Sequence, residues 1–352
     1  MTDRPKRPNS TEIARLAGVS RSTVSRVVNG YPNVPERTRK LVMDIIERYD
    51  YYPSISGQAL RGKRMHCLGL FWGSYGTIAY DTLASSFVIH VIESAVDMGY
   101  VVLTSLPRDF RNPDNKRAVK EMFHSGRIDA GIFMGANDNE PLIDELLSDG
   151  LMVGVLDQTH KDSFDNHFTA NFEPNTGRKC IEYALSLGHR DIAVFDGALN
   201  RHTSFQRHES MMQAIADAGL RIRPEWICCD NTPRAITKEG GLSAMRTLLS
   251  TSVDHLPTFV CCTNDSSAFG AYEALKECGM TPGKDVSVIG IDGHHLSSLQ
   301  QPPLTTFAFD WKAVLGSLVQ RMIRTLEGEE NVPRDDVAVS TLIEGQSCAR
   351  LG

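Results

Sequence analysis

The 352-residue sequence predicts a small all-α helix-turn-helix head followed by an α/β body of two doubly wound parallel-sheet lobes. Three observations predict it. Residues 9–28 hold two short helix patterns separated by a glycine, and from Met65 short apolar strands alternate with amphipathic helices. That alternation then runs through two successive series. A chain this long exceeds the size at which one core keeps growing, so more than one domain is expected.

The head begins at NSTEIARLAGVS, where Asn9 stands as N-cap with Glu12 three residues on and Ile13, Leu16 and Ala17 share a face. Gly18 ends this helix at a position where a positive φ carries no Cβ penalty. Ser20 caps a second helix over Arg21–Val28. Its Val24, Val27 and Val28 turn inward, while Arg21, Ser22, Ser25 and Arg26 turn outward. After the turn Asn29–Gly30–Tyr31–Pro32 a third helix starts near Pro35–Glu36, and its Leu41, Val42, Ile45 and Ile46 close a small core. Pro53 stops it by pushing Tyr52 out of the helical region.

The body's first series reads HCLGLFW, YVVLTS, IDAGIFMG and LMVGVLD as strands, with VIHVIESAVDMG, NKRAVKEMFHSG and LIDELLSDG as helices between them. A second runs through KCIEYALSLGH, DIAVFDG, HESMMQAIADAG, TFVCCTND, FGAYEALKECG and VSVIGIDG. Strands ending in Gly or Asp and followed by helices are βαβ units. Ligands are therefore expected at the carboxyl ends of the strands, in a cleft between two lobes.

Charge separates head from body. Residues 1–64 carry 13 Lys and Arg against six Asp and Glu, whereas the remaining 288 carry 24 against 37. A basic module on an acidic body points to an anionic polymer as partner of the module alone. There is no run of 18 apolar residues and no apolar stretch behind the basic start MTDRPKRPNS, so neither a membrane span nor a secretory signal is expected, and the protein reads as cytoplasmic. The eight cysteines lack C-x-x-C spacing and lie mostly in apolar runs, which favours buried free thiols over disulfides or zinc.

Short apolar helices around a glycine also occur in protein cores. N-terminal position, basic charge and an outward face of Arg and Ser together favour DNA binding. The second helix then enters the major groove, where Arg21 can give a bidentate pair to a guanine edge and Ser22 a less selective contact. Arg26 reaches a base edge or phosphate beside Ser25, and Asn29, Tyr31 and Thr38 hold the backbone.

Ile13-Ala14, the run Ala17-Gly18-Val19-Ser20, the run from Thr23 to Gly30, Val34, Thr38-Arg39 and Tyr51-x-Pro53 resemble the lactose-repressor (LacI) family of bacterial transcription regulators. Ser10 and Pro35 depart from it, standing where an aliphatic and a small polar cap are usual. In residues 53–64, GQALRGKR matches a phosphate-loop pattern as far as its Lys and then fails at Arg64, where Ser or Thr is needed. The resemblance implies instead a hinge helix near 54–62 that forms on operator DNA, with Leu60 as the wedge between minor-groove base steps. Ser54, Gly57 and Gln58 replace the usual residues and make this helix weak, Gly costing up to about 1 kcal/mol against Ala.

Over residues 66–347 the resemblance is to the family's effector-binding body, which is similar to periplasmic sugar-binding proteins. It rests on Gly99-Tyr100, LGHRDI from Leu187, Ala218-Gly219-Leu220, Asn264-Asp265, Gly290-Ile291-Asp292 and PLTT from Pro303. It implies that Arg207, Asp292 and Asn264 bind an effector, and such a set suits a polyhydroxylated or small polar ligand. The loop WGSYGTIAYDTLA and Phe309 depart from the family, which makes Trp72, Tyr75, Tyr80 and Phe309 a candidate stacking set beside the reading that they are core aromatics. The boundaries expected are a head at 1–64 and a body at 65–352, with lobe 1 at about 65–163 and 293–327 and lobe 2 at about 164–292 and 328–347.

No H-E-x-x-H or G-x-S-x-G occurs. His294–His295 and the pair His202 and His208 read as surface or cleft polar residues, since neighbours in sequence point apart on a regular element. The expectation is a non-enzymatic homodimeric regulator, without cofactor or metal, repressing a carbohydrate-use operon from a pseudo-palindromic operator under control of a sugar or sugar phosphate. The tail VSTLIEGQSCARLG lacks a Leu heptad and predicts no tetramerising coil. The competing reading is a cytoplasmic sugar-binding or sugar-processing protein whose basic head only packs on the body.

Overall fold

The computed structural model describes residues 8–28, 30–51, 64–73, 82–107, 109–230, 232, 234–252 and 254–351. It divides into two compact units, Met1–Met65 and His66–Gly352.

The first unit holds α1 (Ser10–Leu16), α2 (Arg21–Val28) and α3 (Glu36–Arg48). The capping box at α1 is complete: Asn9 Oδ1 accepts the N–H groups of Thr11 and Glu12 at 2.9 and 3.0 Å, and Glu12 Oε2 accepts that of Asn9 at 2.8 Å. Gly18 takes φ +63°, which an L side chain rarely adopts, and turns the chain into α2. Ser20 Oγ then accepts the Thr23 N–H at 3.1 Å as the α2 cap. The core consists of Ile13, Ala14, Ala17, Val24, Val27, Val34 and Val42, with Val28, Ile45 and Ile46 packed against it. Two expected members lie outside it: Leu16 is 38% exposed and Leu41 47%. The buried stripe of α1 runs Ile13, Ala14, Ala17, so Leu16 falls on its flank. That of α3 centres on Val42, which puts Leu41 about 100° round the helix.

In the second unit β1 (Cys67–Trp72), β2 (Val101–Ser105), β3 (Ala130–Met134), β4 (Val153–Leu156) and β5 (His167–Phe172) form a parallel sheet in the order β2-β1-β3-β4-β5. The short β11 (Val337–Ala338) adds to its edge. Its helices are α4 (Thr82–Asp97), α5 (Pro113–His124) and α6 (Pro141–Ser148), with α11 (Trp311–Leu326) packed on α4 and β5. The second sheet repeats the plan with β6 (Ile192–Asp196), β7 (Ile227–Cys229), β8 (Phe259–Cys262), β9 (Ser287–Asp292) and β10 (Thr305–Ala308) in the order β7-β6-β8-β9-β10, and β12 (Thr341–Ile343) runs antiparallel to β10. Its helices are α7 (Thr176–Ser186), α8 (His202–Asp217), α9 (Lys238–Thr251) and α10 (Asp265–Glu277).

Strands β1, β3, β4 and β5 are buried along their whole length, as strands covered by helices on both faces must be. The chain passes between lobes three times, after β5, after β10 and between β11 and β12. These crossings differ from the expected boundaries. HFTANF pairs with β4, Val153 opposite His167, and so belongs to the first lobe; TTFA pairs with β9, Thr305 opposite Ile289, and so stays in the second. Sheet pairing keeps each strand in its lobe until the last bond is made, and the chain then crosses.

All eight cysteines are free. Cys67, Cys180, Cys261 and Cys262 are buried and Cys228 and Cys348 half-buried, while Cys229 and Cys278 are exposed, so burial as a free thiol holds for only part of the set. Among the described residues no helix is long and apolar enough to cross a membrane, and no cluster of His, Cys, Asp and Glu could hold a metal ion.

Candidate functional site

On the head, α2 buries Val24 and Val27 and leaves Arg21, Ser22 and Arg26 exposed, with Ser25 half-buried between the faces. Arg21 Nε donates to Ser10 Oγ of α1 at 3.0 Å, and Ser22 Oγ lies 2.7 Å from Ser20 Oγ. Tyr31 is exposed in the turn before α3, and its carbonyl accepts the Arg39 guanidinium. Thr38 sits half-buried in the first turn of α3, its N–H bonded to the Pro35 carbonyl at 2.9 Å. Asn29 and Leu60 lie outside the described residues, as does the hinge expected at 54–62.

In the body the carboxyl ends of β1, β3, β4, β5, β8 and β9 meet the amino end of α8 around a cavity of about 190 Å³. It lies where parallel α/β sheets place ligand sites, and both lobes supply its walls. The pair at its centre was legible in the sequence. Arg207, from the second turn of α8, gives Nη2 to Asp292 Oδ1 at 2.8 Å and Nη1 to the Thr263 carbonyl at 2.7 Å. Asp292 adopts φ +110°, a region L residues avoid, and its carbonyl accepts the Trp311 indole N–H at 2.7 Å. Asn264 lines the cavity, but both ends of its amide are engaged: Oδ1 caps α10 at the Ser267 N–H, 2.9 Å away, and Nδ2 holds the Ile236 carbonyl at 2.7 Å.

The aromatic set is partly different from the expected one. Trp72 lines the cavity together with Phe87, Phe172 and Trp311. Phe309 is a buried core ring, 4.8 Å from Phe172, with the Arg207 guanidinium 5.9 Å from its centroid, so it backs the arginine rather than facing a ligand. Tyr75 and Tyr80 lie outside the described residues. The histidine pair also differs: His294 precedes a short 3-10 turn in extended conformation, which lets its ring stack on His295 at 4.6 Å, and it borders the cavity. His202 and His208 make polar contacts, to Thr159 at 3.1 Å and to Asp196 at 2.8 Å.

Several participants have no role that the local sequence assigns. Asp265 is buried and accepts from Thr306 Oγ1 (2.6 Å), the His294 N–H (2.6 Å) and Ser297 Oγ (2.9 Å); burial pushes its carboxyl up to about 7. Asp157, at φ +67° just after β4, accepts both the N–H (2.8 Å) and the hydroxyl of Thr203 in the opposite lobe. A second cavity of about 320 Å³ adjoins the first at the lobe boundary and includes Arg111, Asn137, Asp138 and His202, and Arg201 borders both. Burial holds the Arg201 guanidinium below its ordinary value. Two buried polar atoms at the first cavity, Trp72 Nε1 and Arg207 Nε, have no hydrogen-bond partner among the described residues.

A helix-turn-helix head joined to a two-lobed body with a cavity between its lobes defines a ligand-controlled DNA-binding transcription regulator. Residues 11–54 match the model of bacterial regulatory proteins of the lacI family, and residues 181–348 that of the periplasmic binding protein-like domain. The HTH-type transcriptional repressor PurR of Pasteurella multocida is 31% identical over 84% of this chain and 85% of its own length. The probable HTH-type transcriptional repressor ExuR of Bacillus subtilis is 29% identical over 84% of each chain. Among solved structures, the lac repressor dimer bound to operator and the anti-inducer ONPF superposes with a TM-score of 0.80 at 24% identity, covering 98% of this chain and all of that one. The CelR–cellobiose complex superposes at 0.71 with 21% identity, covering 97% and 100%. The chain belongs to the LacI family of bacterial transcription regulators.

Proposed function

We propose that the protein is a homodimeric repressor of a carbohydrate-use operon, controlled by a small polar ligand, a sugar or sugar phosphate, held between its lobes. The bond from Thr203 to Asp157 carries the reading. The helix that sends Arg207 into the cavity is tied at its first turn to the opposite lobe, so filling the cavity and setting the lobe angle are one event. Two heads take the half-sites of a pseudo-palindromic operator. Arg21 and Ser22 face base edges with Ser25 and Arg26 beside them, Asn29, Tyr31 and Thr38 hold phosphates, and Leu60 wedges the centre. Effector contacts fall to Arg207 and Asp292, with Trp72 as a stacking wall and Asn264 shaping the floor. The protein acts by binding, without catalysis or cofactor, on the nucleoid in the cytoplasm. Curated relatives named as repressors and a structural neighbour holding cellobiose support this assignment.

The test is a duplex selected from random sequence by the full-length protein, with affinity measured against salt. A palindromic selected site whose binding falls steeply between 50 and 200 mM salt, about 10³-fold or more, is expected. Loss of all duplex binding would leave only a sugar-binding protein.

A further inference from the structure

Among the described residues around the cavity one cation, Arg201, makes no ion pair, and it stands apart from the way the other charged groups are paired. Each carboxylate at the cavity is already engaged by the protein: Asp157 by Thr203, Asp265 by Thr306, Ser297 and the His294 N–H, and Asp292 by Arg207. The donors are not. Trp72 Nε1 and Arg207 Nε are buried without a hydrogen-bond partner among the described residues. Arg201, which borders both cavities, has as its hydrogen bond among the described residues only a long one, Nη2 to the Gly135 carbonyl at 3.5 Å, and it makes no ion pair there. Asp157 acts on it through space alone, and burial depresses its proton affinity, the mark of a cation short of a counter-charge.

A neutral sugar hydroxyl can satisfy these donors, but it leaves the Arg201 charge without a counter-ion. A carboxylate or phosphate oxygen accepts without bringing a proton, and a guanidinium matches its two-oxygen edge. On the effector role just proposed for this cleft, we infer that the effector is an acidic carbohydrate. Its ring lies against Trp72, its oxygens take the free N–H groups of Trp72 and Arg207, and its anionic group lies at Arg201 toward the second cavity. Uronic acids and sugar phosphates share this chemistry.

Matched pairs test it by titration calorimetry on the full-length protein: glucose, galactose and mannose against their uronates and their 6-phosphates. At least one acid is expected to bind tenfold or more tighter than its neutral parent, and the arm in which it appears identifies carboxylate or phosphate. In Arg201→Gln, verified as folded by its melting curve, that ratio should fall to within about threefold of unity. A neutral sugar that binds as tightly as its acids, an absence of binding by every acid, or a preference surviving Arg201→Gln each overturns the inference. Duplex selection with the unliganded protein is scored separately, so failure of the regulator reading is distinguishable from failure of the acid reading.

Discussion

Asp157 of the first lobe accepts the backbone N–H of Thr203 of the second at 2.8 Å, so a strand end in one lobe caps a helix in the other. An N-cap of this kind contributes about 1 kcal/mol, here to lobe closure rather than to the helix alone. Asp157→Ala should lower stability by roughly that amount, enlarge the body in small-angle scattering, and weaken ligand binding, because the closed form is then less populated before the ligand arrives. Asp157→Asn keeps an acceptor and tolerates the positive φ, so it should retain most of the wild-type behaviour. Identical scattering curves for wild type and Asp157→Ala would count against the latch.

Removing Arg207 has a different consequence. Arg207 is buried and Asp292 half-buried against it, with a strained aspartate backbone beneath, so Arg207→Met strands a carboxylate rather than merely deleting a contact. Breaking one side of such a pair typically costs about 3–5 kcal/mol. In urea unfolding, Arg207→Met should lose about 3 kcal/mol, and Arg207→Met/Asp292→Asn should recover part of it. A loss below about 1 kcal/mol for the single variant would mean that Asp292 is solvated in the cleft.

His167 gives the body a titration of its own. The ring is fully buried at the start of β5, its Nδ1 accepts the Lys161 N–H at 3.1 Å, and Nε2 has no partner. Burial, reinforced by the neighbouring His160 and Lys161 and opposed by Asp144 and Asp335, lowers it from 6.5 to about 4. Because the folded form holds its proton less tightly than the unfolded chain, stability is complete above pH 6.5 and declines as pH falls toward 4, by about 3 kcal/mol in all. His167→Asn keeps an acceptor near Nδ1 but cannot titrate. Its stability between pH 7 and pH 4 should fall about 3 kcal/mol less than the wild type's, and parallel curves would exclude His167 as the source.

What the sequence made legible was local. Asn9, Glu12 and Gly18 announce the first helix and its end because capping and positive φ depend on neighbours a few residues away. Arg207 and Asp292 were legible through family resemblance at the right strand and helix ends. Asp157, Thr203 and Asp265 were not, because each is defined by a partner 29 or more residues distant: Thr203 lies 46 from Asp157, and His294, Ser297 and Thr306 lie 29, 32 and 41 from Asp265. The misplaced lobe boundary has the same origin, since HFTANF reads as a strand wherever it pairs and only its register with β4 assigns it. Leu16 and Leu41 went astray for a smaller reason: on helices of two to four turns, a residue one step round can match a buried stripe in the sequence and still face water.

The same head holds a contact that the family pattern does not supply. Ser10 Oγ accepts Arg21 Nε–H at 3.0 Å across the α1–α2 angle, at a position where the family resemblance implies an aliphatic residue. With Nε occupied, the two terminal nitrogens of Arg21 form the free edge of its guanidinium, the edge that pairs with guanine N7 and O6. Arg21→Ala should therefore cost about 1–3 kcal/mol on the selected duplex and erase the base preference at one position of each half-site. Ser10→Ala removes no buried group, and its effect on stability should stay within about 0.5 kcal/mol. Its effect on DNA should appear as specificity: an untethered Arg21 samples more rotamers, so the preference for guanine over other bases should shrink several-fold while affinity for random duplex is unchanged. Selection with wild type, Ser10→Ala and Arg21→Ala in parallel measures this, and a Ser10→Ala protein that selects the wild-type site with undiminished preference would show that the hydrogen bond does not aim the arginine.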